Sequence, residues 1–360
     1  MNSMKDKKPV SGWGGWCVGG GAGAATAGAG AAMMAAVALL LPLPAQSRVG
    51  VWRGLALFAL GGAHFTCLFA AASALLRRSA LAARLTQATL LDVANKAVSG
   101  VQALWSSAAG AAVCLHSCSR DAAATNHYLS DAYAWFGAAY FFYDIWSMYI
   151  VHVEMALEAA GGARVTSQTV DYEALGAGGG APRAPRAPPL PSLASFLAHE
   201  PLMVAHHCFI GGFGFLVIVY LRGASGDCVF GFVYLMEVST VFVSLRGALA
   251  RAGRRGALYA ANGAAMLATF ALFRLAALPY ALALHARARG LHYFEALWAL
   301  PTGCKLSILL LMLPQVYWFY LMCRGALKLV ASKEKGAAVQ GAAAEGAGAA
   351  AGGDAGGARS

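Results

Sequence analysis

Residues 92–107 read DVANKAVSGVQALWSS, and their spacing decides the fold. Asp92, Asn95, Lys96, Ser99, Gln102 and Ser106 fall at i, i+3, i+4, i+7, i+10 and i+14. That is one polar stripe along an otherwise apolar helix. Asp92 and Lys96 stand at i, i+4 and are expected to pair. Such a stripe faces either a lumen or the hydrogen-bonding groups of neighbouring helices, because lipid tails can satisfy neither charge nor amide.

Working outward, apolar segments occupy approximately 53–76, 93–115, 132–153, 202–221, 229–249, 257–284 and 296–323. Each exceeds or approaches the roughly 20 residues that a helix needs to cross a bilayer. Composition agrees: of 360 residues, 59% are hydrophobic and 12% charged, against about 25% charged in soluble domains. The chain is therefore expected to be all-α, a polytopic membrane protein with seven or eight spans. Residues 1–50 read as a low-complexity extension, in which 31–44 is a short span, a signal-like apolar stretch or sequence without fixed structure. Residues 51–91 hold the first clear span and a basic loop, and 92–330 form the main domain. Two Gly/Ala/Pro-rich stretches, a loop at about 159–195 and the tail at 331–360, lack the apolar periodicity to offset ordering entropy and are expected to be disordered.

The formal net charge is +11, but the basic residues sit in short runs between apolar segments. This distribution serves topology and lipid headgroups, so no nucleic-acid partner is expected. With the 77–91 loop in the cytosol, fourteen Lys and Arg fall on that side and four on the other. The positive-inside rule then puts the C-terminus in the cytosol. Eight cysteines are scattered without a CxxC. Cys114 and Cys118 lack companion ligands, no metal site is expected, and the cysteines read as small buried hydrophobes.

Ionisable groups recur within the spans. Asp144 lies deep in YFFYDIWSMYIVH, with Tyr140 and Ser147 a turn away and Lys305 or Arg274 as candidate partners. His206 and His207 are adjacent, about 100° apart on a helix, which suits one imidazole facing a cavity while the other orients it or packs aside. His199 falls near the boundary. Glu237 is followed by Thr240 and Ser244; Asn262, Arg274 and Lys305 mark the last spans. An internal repeat and a pair of broken helices, the usual marks of a transporter, are not visible.

The set YFFYD (140–144), LMVAHH (202–207), EVST (237–240) with FVSL (242–245), NG (262–263) with ML (266–267), and PQVYWFYLMCRGAL (314–327) resembles the TLC-domain family of TRAM, LAG and CLN membrane proteins. The resemblance implies a six-helix TLC barrel over residues 92–324, plus at least one N-terminal transmembrane helix, in the endoplasmic reticulum or Golgi membrane. Ceramide synthases in this family transfer a fatty acyl group from coenzyme A to a sphingoid base. Their signature joins a His-His pair to a later His-Asp-x-x-Asp. His206 and His207 match the pair and Glu237 the final Asp, whereas Val233 and Tyr234 stand at the intervening His and Asp positions. The resemblance thus implies N-acyl transfer with His206, His207, Asp144 and Glu237 as catalytic residues. Ser99, Gln102, Tyr140, Thr240, Asn262, Arg274 and Lys305 are expected to line the substrate cavity. Membrane lipids, fatty acyl-CoA as co-substrate and a sphingoid base are the implied partners, with no resident cofactor; homo- or hetero-oligomers are compatible. A non-catalytic lipid-binding protein that regulates membrane composition is the alternative.

Overall fold

The computed structural model describes residues 22–352 except 121, 123, 175–190 and 224, with side chains described outside 161–174, 330 and 332–352. The extension's first 21 residues, and Arg183 and Arg186 of the 159–195 loop that count toward the cytosolic charge, lie outside the described residues. Two compact units, Met1–Ala299 and Leu300–Ser360, divide the chain.

The first unit contains α1 (Ala22–Leu40), α2 (Val51–Arg78), α3 (Gln87–Ser117), α4 (Tyr128–Ala174), α5 (Leu193–His199) and α6 (Pro201–Cys208). It continues with α7 (Asp227–Leu235), α8 (Val238–Arg251), α9 (Ala257–Phe270), α10 (Ala277–Arg289) and α11 (Tyr293–Ala299). The second unit contributes α12 (Thr302–Gly352). Among the described residues there is no strand, and seven helical segments are long and apolar enough to cross a membrane. The 132–153 stretch is not among the seven, since its four tyrosines, Asp144 and His152 lower the mean hydropathy. It belongs instead to the 47-residue α4, which runs alongside α2 and α3. The protein is an all-α, multi-pass membrane protein.

Several boundaries move. Residues 31–40 of the undecided 31–44 stretch are the end of α1, which starts at Ala22 and is long and apolar enough to span. Ala is the best helix former and extends the helix upstream, while Pro42 and Pro44 stop it. The segment read as 296–323 starts later, at Thr302, because Pro301 separates it from α11. The loop expected to be disordered from about 159 is helical to Ala174, and Leu193–His199 is a helix. Likewise α12 runs through the Ala-rich tail to Gly352. In the tail, an established helix propagates through Ala-rich sequence more readily than a new one nucleates.

α1 and α2 form an antiparallel hairpin, tied where the His64 Nδ1–H donates to the Ala29 carbonyl at 2.8 Å. Lipid offers no hydrophobic force between helices, so close packing and small residues must bring them together. Phe65 and Phe69, both 0% exposed, pack edge-on or tilted against Phe136, Tyr140, Tyr143 and Trp146 of α4. α3 and α7 also approach closely. A Cβ built on Gly110 would stand 2.7 Å from the Gly231 carbonyl oxygen and 2.9 Å from the Leu235 amide. Backbone cannot yield as a side chain can. Gly110→Val is therefore expected to lower thermal stability in detergent by about 1–3 kcal/mol, the usual cost of overpacking. Gly62→Ala, where a Cβ meets nothing within 4 Å, should leave the melting curve in place.

Charged groups gather at two ends of the first unit. At one end Asp92 takes Lys96 at 2.7 Å, as the i, i+4 spacing predicts, and Arg251 from α8 at 2.7 Å. Glu158 there accepts from the Ala88 amide at 2.9 Å, capping α3. At the other end Arg222 pairs with Asp131 at 2.7 Å and with Asp227. Arg48 reaches Asp131 at 3.3 Å and the Val219 carbonyl, and the Tyr128 amide bonds the Ala45 carbonyl at 2.8 Å. His127 sits in this end, where burial first, then the neighbouring His116 and Arg120, hold its imidazole below the ordinary range.

The cysteines are the clearest departure from expectation. Cys118, which follows α3, and Cys228, in the first turn of α7, form a disulfide at S–S 2.13 Å. A sequence separation of 110 hides that pairing from any spacing argument. Cys67, Cys114, Cys208, Cys304 and Cys323 are free thiols, with Cys208 and Cys304 exposed.

Candidate functional site

Asp144 is the centre of a buried cluster drawn from three helices. On α3, the Asn95 Nδ2–H donates to its Oδ1 at 2.9 Å; on α6, His207 Nε2 lies 2.8 Å from its Oδ2. Tyr143 and Ser147 hydroxyls both donate to Asn95 Oδ1, at 3.1 and 2.8 Å. Two donors on one amide oxygen and a carboxylate on the amide nitrogen fix which way Asn95 points. Arg274, a partner expected for Asp144, is paired with Glu237. Asp144 meets a histidine of α6 instead, because that helix packs against α4.

The two imidazoles are not equivalent. Their rings are nearly perpendicular, at 89° with centroids 5.8 Å apart. His207 is buried, and its Nδ1–H donates to the Met203 carbonyl at 2.8 Å. A carbonyl only accepts, so Nδ1 carries a proton. Nε2 and Asp144 then hold one proton between them, as imidazolium with carboxylate or as imidazole accepting from carboxyl. Either way both nitrogens of His207 are engaged. His206 is half-buried and lies within the electrostatic reach of Arg274 and Glu237.

A second cluster surrounds Glu237. Arg274 Nη2 approaches Glu237 Oε1 at 3.2 Å and donates to Thr240 Oγ1 at 2.6 Å. Thr240 donates its own proton to Glu237 Oε2 at 2.6 Å, and Arg274 Nε donates to Ser239 Oγ at 2.8 Å. The guanidinium also lies over the Phe270 ring, 5.3 Å from its centroid. An arginine within a span normally marks a functional or heavily paired position; this one has both a carboxylate and two hydroxyls.

The backbone departs from α geometry at these places. Phe209–Gly214, directly after the His pair, and Ala271–Ala276, which contains Arg274, are π-helical. Between α7 and α8 the chain turns at Met236 and Glu237. Such insertions into α-helices concentrate at functional sites because they re-aim side chains. Hydropathy alone shows no broken helix in this chain. The IGGFG run at 210–214 is a signal for the first π-helical turn; nothing in the sequence around Arg274 marks the second.

The remaining expected residues divide. Tyr140 donates to Ser99 Oγ at 2.9 Å, and Gln102 Nε2–H donates to the Tyr133 hydroxyl at 3.1 Å, extending the polar stripe of α3. Gln102 Oε1 is buried without a hydrogen-bond partner. Asn262 instead donates to the Phe242 carbonyl at 2.8 Å, a bond that ties α9 to α8. His199 is two-thirds exposed. Lys305 belongs to the second unit. Asn95, Ser239, Tyr143 and Tyr133 complete the clusters beyond the residues that sequence reasoning assigns to the site; of these only Asn95 is legible, as part of the stripe. Tyr234, at an altered position of the ceramide-synthase signature, donates to the Ser130 carbonyl at 2.7 Å and stacks edge-on with Tyr133. Among the described residues, no three His, Cys, Asp or Glu converge as metal ligands.

These contacts define a multi-pass helical membrane protein with carboxylates, an imidazole and a guanidinium paired among its helices. The TLC domain of the TRAM, LAG1 and CLN8 family matches residues 92–324, and the chain belongs to that family. The matched stretch starts at Asp92 and contains Asp144, both histidines, Glu237 and Arg274; α1 and α2 lie outside it. No solved structure matches the chain.

Proposed function

We propose that the protein is a ceramide-synthase-like enzyme of sphingolipid metabolism in the endoplasmic reticulum or Golgi membrane, transferring a fatty acyl group from acyl-CoA to a sphingoid base. Within the family, the motifs resemble TLC domain-containing protein 3, of the A or B type. The observation that carries the reading is the unequal His pair: a half-buried His206 beside a His207 fixed by Asp144 and a backbone carbonyl. His206 takes the amine proton as the nitrogen attacks the thioester carbonyl. The C–N bond forms, the C–S bond breaks, and the proton passes on to the departing thiolate. His207 and Asp144 position it, and Arg274, held by Glu237, supplies positive charge within reach.

Placement supports the same reading. His206 lies about 8 Å along the helix from Pro201, at 1.5 Å per residue, on the side where basic loops collect. With the C-terminus cytosolic, a water-soluble CoA headgroup arrives at that side while its chain enters from the bilayer.

A second reading, a non-catalytic lipid-binding protein that tunes membrane composition, is favoured by one observation. Tyr234 fills the position of a signature carboxylate and spends its hydroxyl on a structural bond. Purified protein in lipid, given acyl-CoA and sphinganine, separates the two. Wild type is expected to form the amide and His206→Ala to lose at least 100-fold in rate, the scale of lost general-base catalysis, with an unchanged melting temperature. Amide formation that survives His206→Ala would remove this residue from the chemistry; no amide from folded wild type would favour the binding reading.

A further inference from the structure

The disulfide joins the end of α3 to the start of α7, which charge counting places together on the side opposite the basic loops. Cys118 and Cys228 have Cα atoms 4.9 Å apart, inside the range that a disulfide spans without moving backbone. Their neighbourhood is held by contacts other than the bond itself. The Asp227 amide meets the Thr125 carbonyl at 3.4 Å, and an Asp227 carboxylate oxygen accepts from the His127 amide. Arg222, 4% exposed, holds Asp227 and Asp131 together on the same end. The thiols are thus presented to each other by ion pairs and backbone bonds. Cys114, one turn before Cys118, instead directs its Sγ to the Cys228 carbonyl at 3.8 Å and remains a thiol.

Cytosolic thiols are kept reduced, whereas disulfides persist in the lumen of the secretory pathway and outside the cell. We propose that Cys118–Cys228 is a structural disulfide formed on the non-cytosolic side, locking α3 to α7 at that end of the molecule. The bond therefore reports membrane sidedness independently of Lys and Arg. Two thiols lose two protons and two electrons; the electrons reduce the disulfide of a luminal thiol–disulfide exchange protein to its dithiol. Its formation is independent of acyl transfer.

The test uses the full chain in sealed vesicles whose cytosolic face points outward. Free thiols are blocked in denaturant, the sample is reduced, and newly exposed thiols are tagged with a polyethylene-glycol maleimide. Two added tags are expected. Cys118→Ser and Cys228→Ser should each abolish both, and Cys114→Ser should retain both. A membrane-impermeant phosphine, applied to intact vesicles before blocking, should leave the bond whole until detergent admits it. No newly exposed thiols in the wild type would overturn the disulfide, and loss of the bond in intact vesicles would overturn its placement. Because the readout is a mass shift, it stands whether or not amide formation is detected.

Discussion

Arg222→Met is expected to cost about 3–5 kcal/mol of stability, the scale for stripping one partner from a buried ion pair. Asp131 and Asp227 have side chains 1% and 0% exposed, and the guanidinium that serves both is itself 4% exposed. Methionine keeps much of the volume and removes the charge. Asp227 is then left with the His127 amide as its compensating donor, and Asp131 with Arg48, whose side chain is 42% exposed. An exposed partner contributes about 0–1 kcal/mol. The measurement is thermal unfolding followed by size-exclusion fluorescence in detergent, with Arg48→Met beside it. Arg222→Met should largely abolish the monodisperse peak and Arg48→Met should shift the melting temperature by a few degrees at most. Equal effects from the two would mean that Arg222 is not the central cation of this end.

The other large effect falls on the Asp144–His207 pair, where two substitutions should diverge. His207→Ala removes the base from a carboxyl group whose other oxygen is held by Asn95, and opens a cavity among Tyr140 and Phe141, which the ring contacts. A buried acid with half its partners should lose about 2–5 kcal/mol, combining an unpaired polar group with lost packing. Asp144→Asn is different. Its amide can donate to His207 Nε2 and accept from Asn95 Nδ2, so both contacts survive without the acid. Its melting temperature should stay within a few degrees of wild type. If His207 positions His206 through this pair, Asp144→Asn should nevertheless lower amide formation at least tenfold, mainly in kcat and not in KM. Full activity in a stable Asp144→Asn protein would leave the pair a purely structural one.

Most of the architecture was legible because hydropathy is a local property. Apolar runs near 20 residues, broken by Arg clusters and Pro, located the spans to within a few residues where the ends are well marked, as at Arg78 and Ser117. They failed where a helix runs on past its apolar stretch, to Ala174 and through the Ala-rich tail. The stripe on α3 was equally plain, since a 3.6-residue period needs no knowledge of the neighbours, and Asp92–Lys96 forms as its spacing requires. Asp144, Glu237 and Arg274 stood out as ions among apolar residues. Their partners did not.

The sequence by itself therefore determined that this is an all-α membrane protein, where its helices run, and which polar groups must avoid lipid. Only the tertiary structure decided that Asp144 meets His207, that Arg274 turns to Glu237, and that Cys118 finds Cys228. Each of those choices depends on how far one helix is rotated and shifted against another. That is set by glycine contacts such as Gly110 on Gly231 and by π-helical turns, at separations of tens of residues, where periodicity along the chain carries no information.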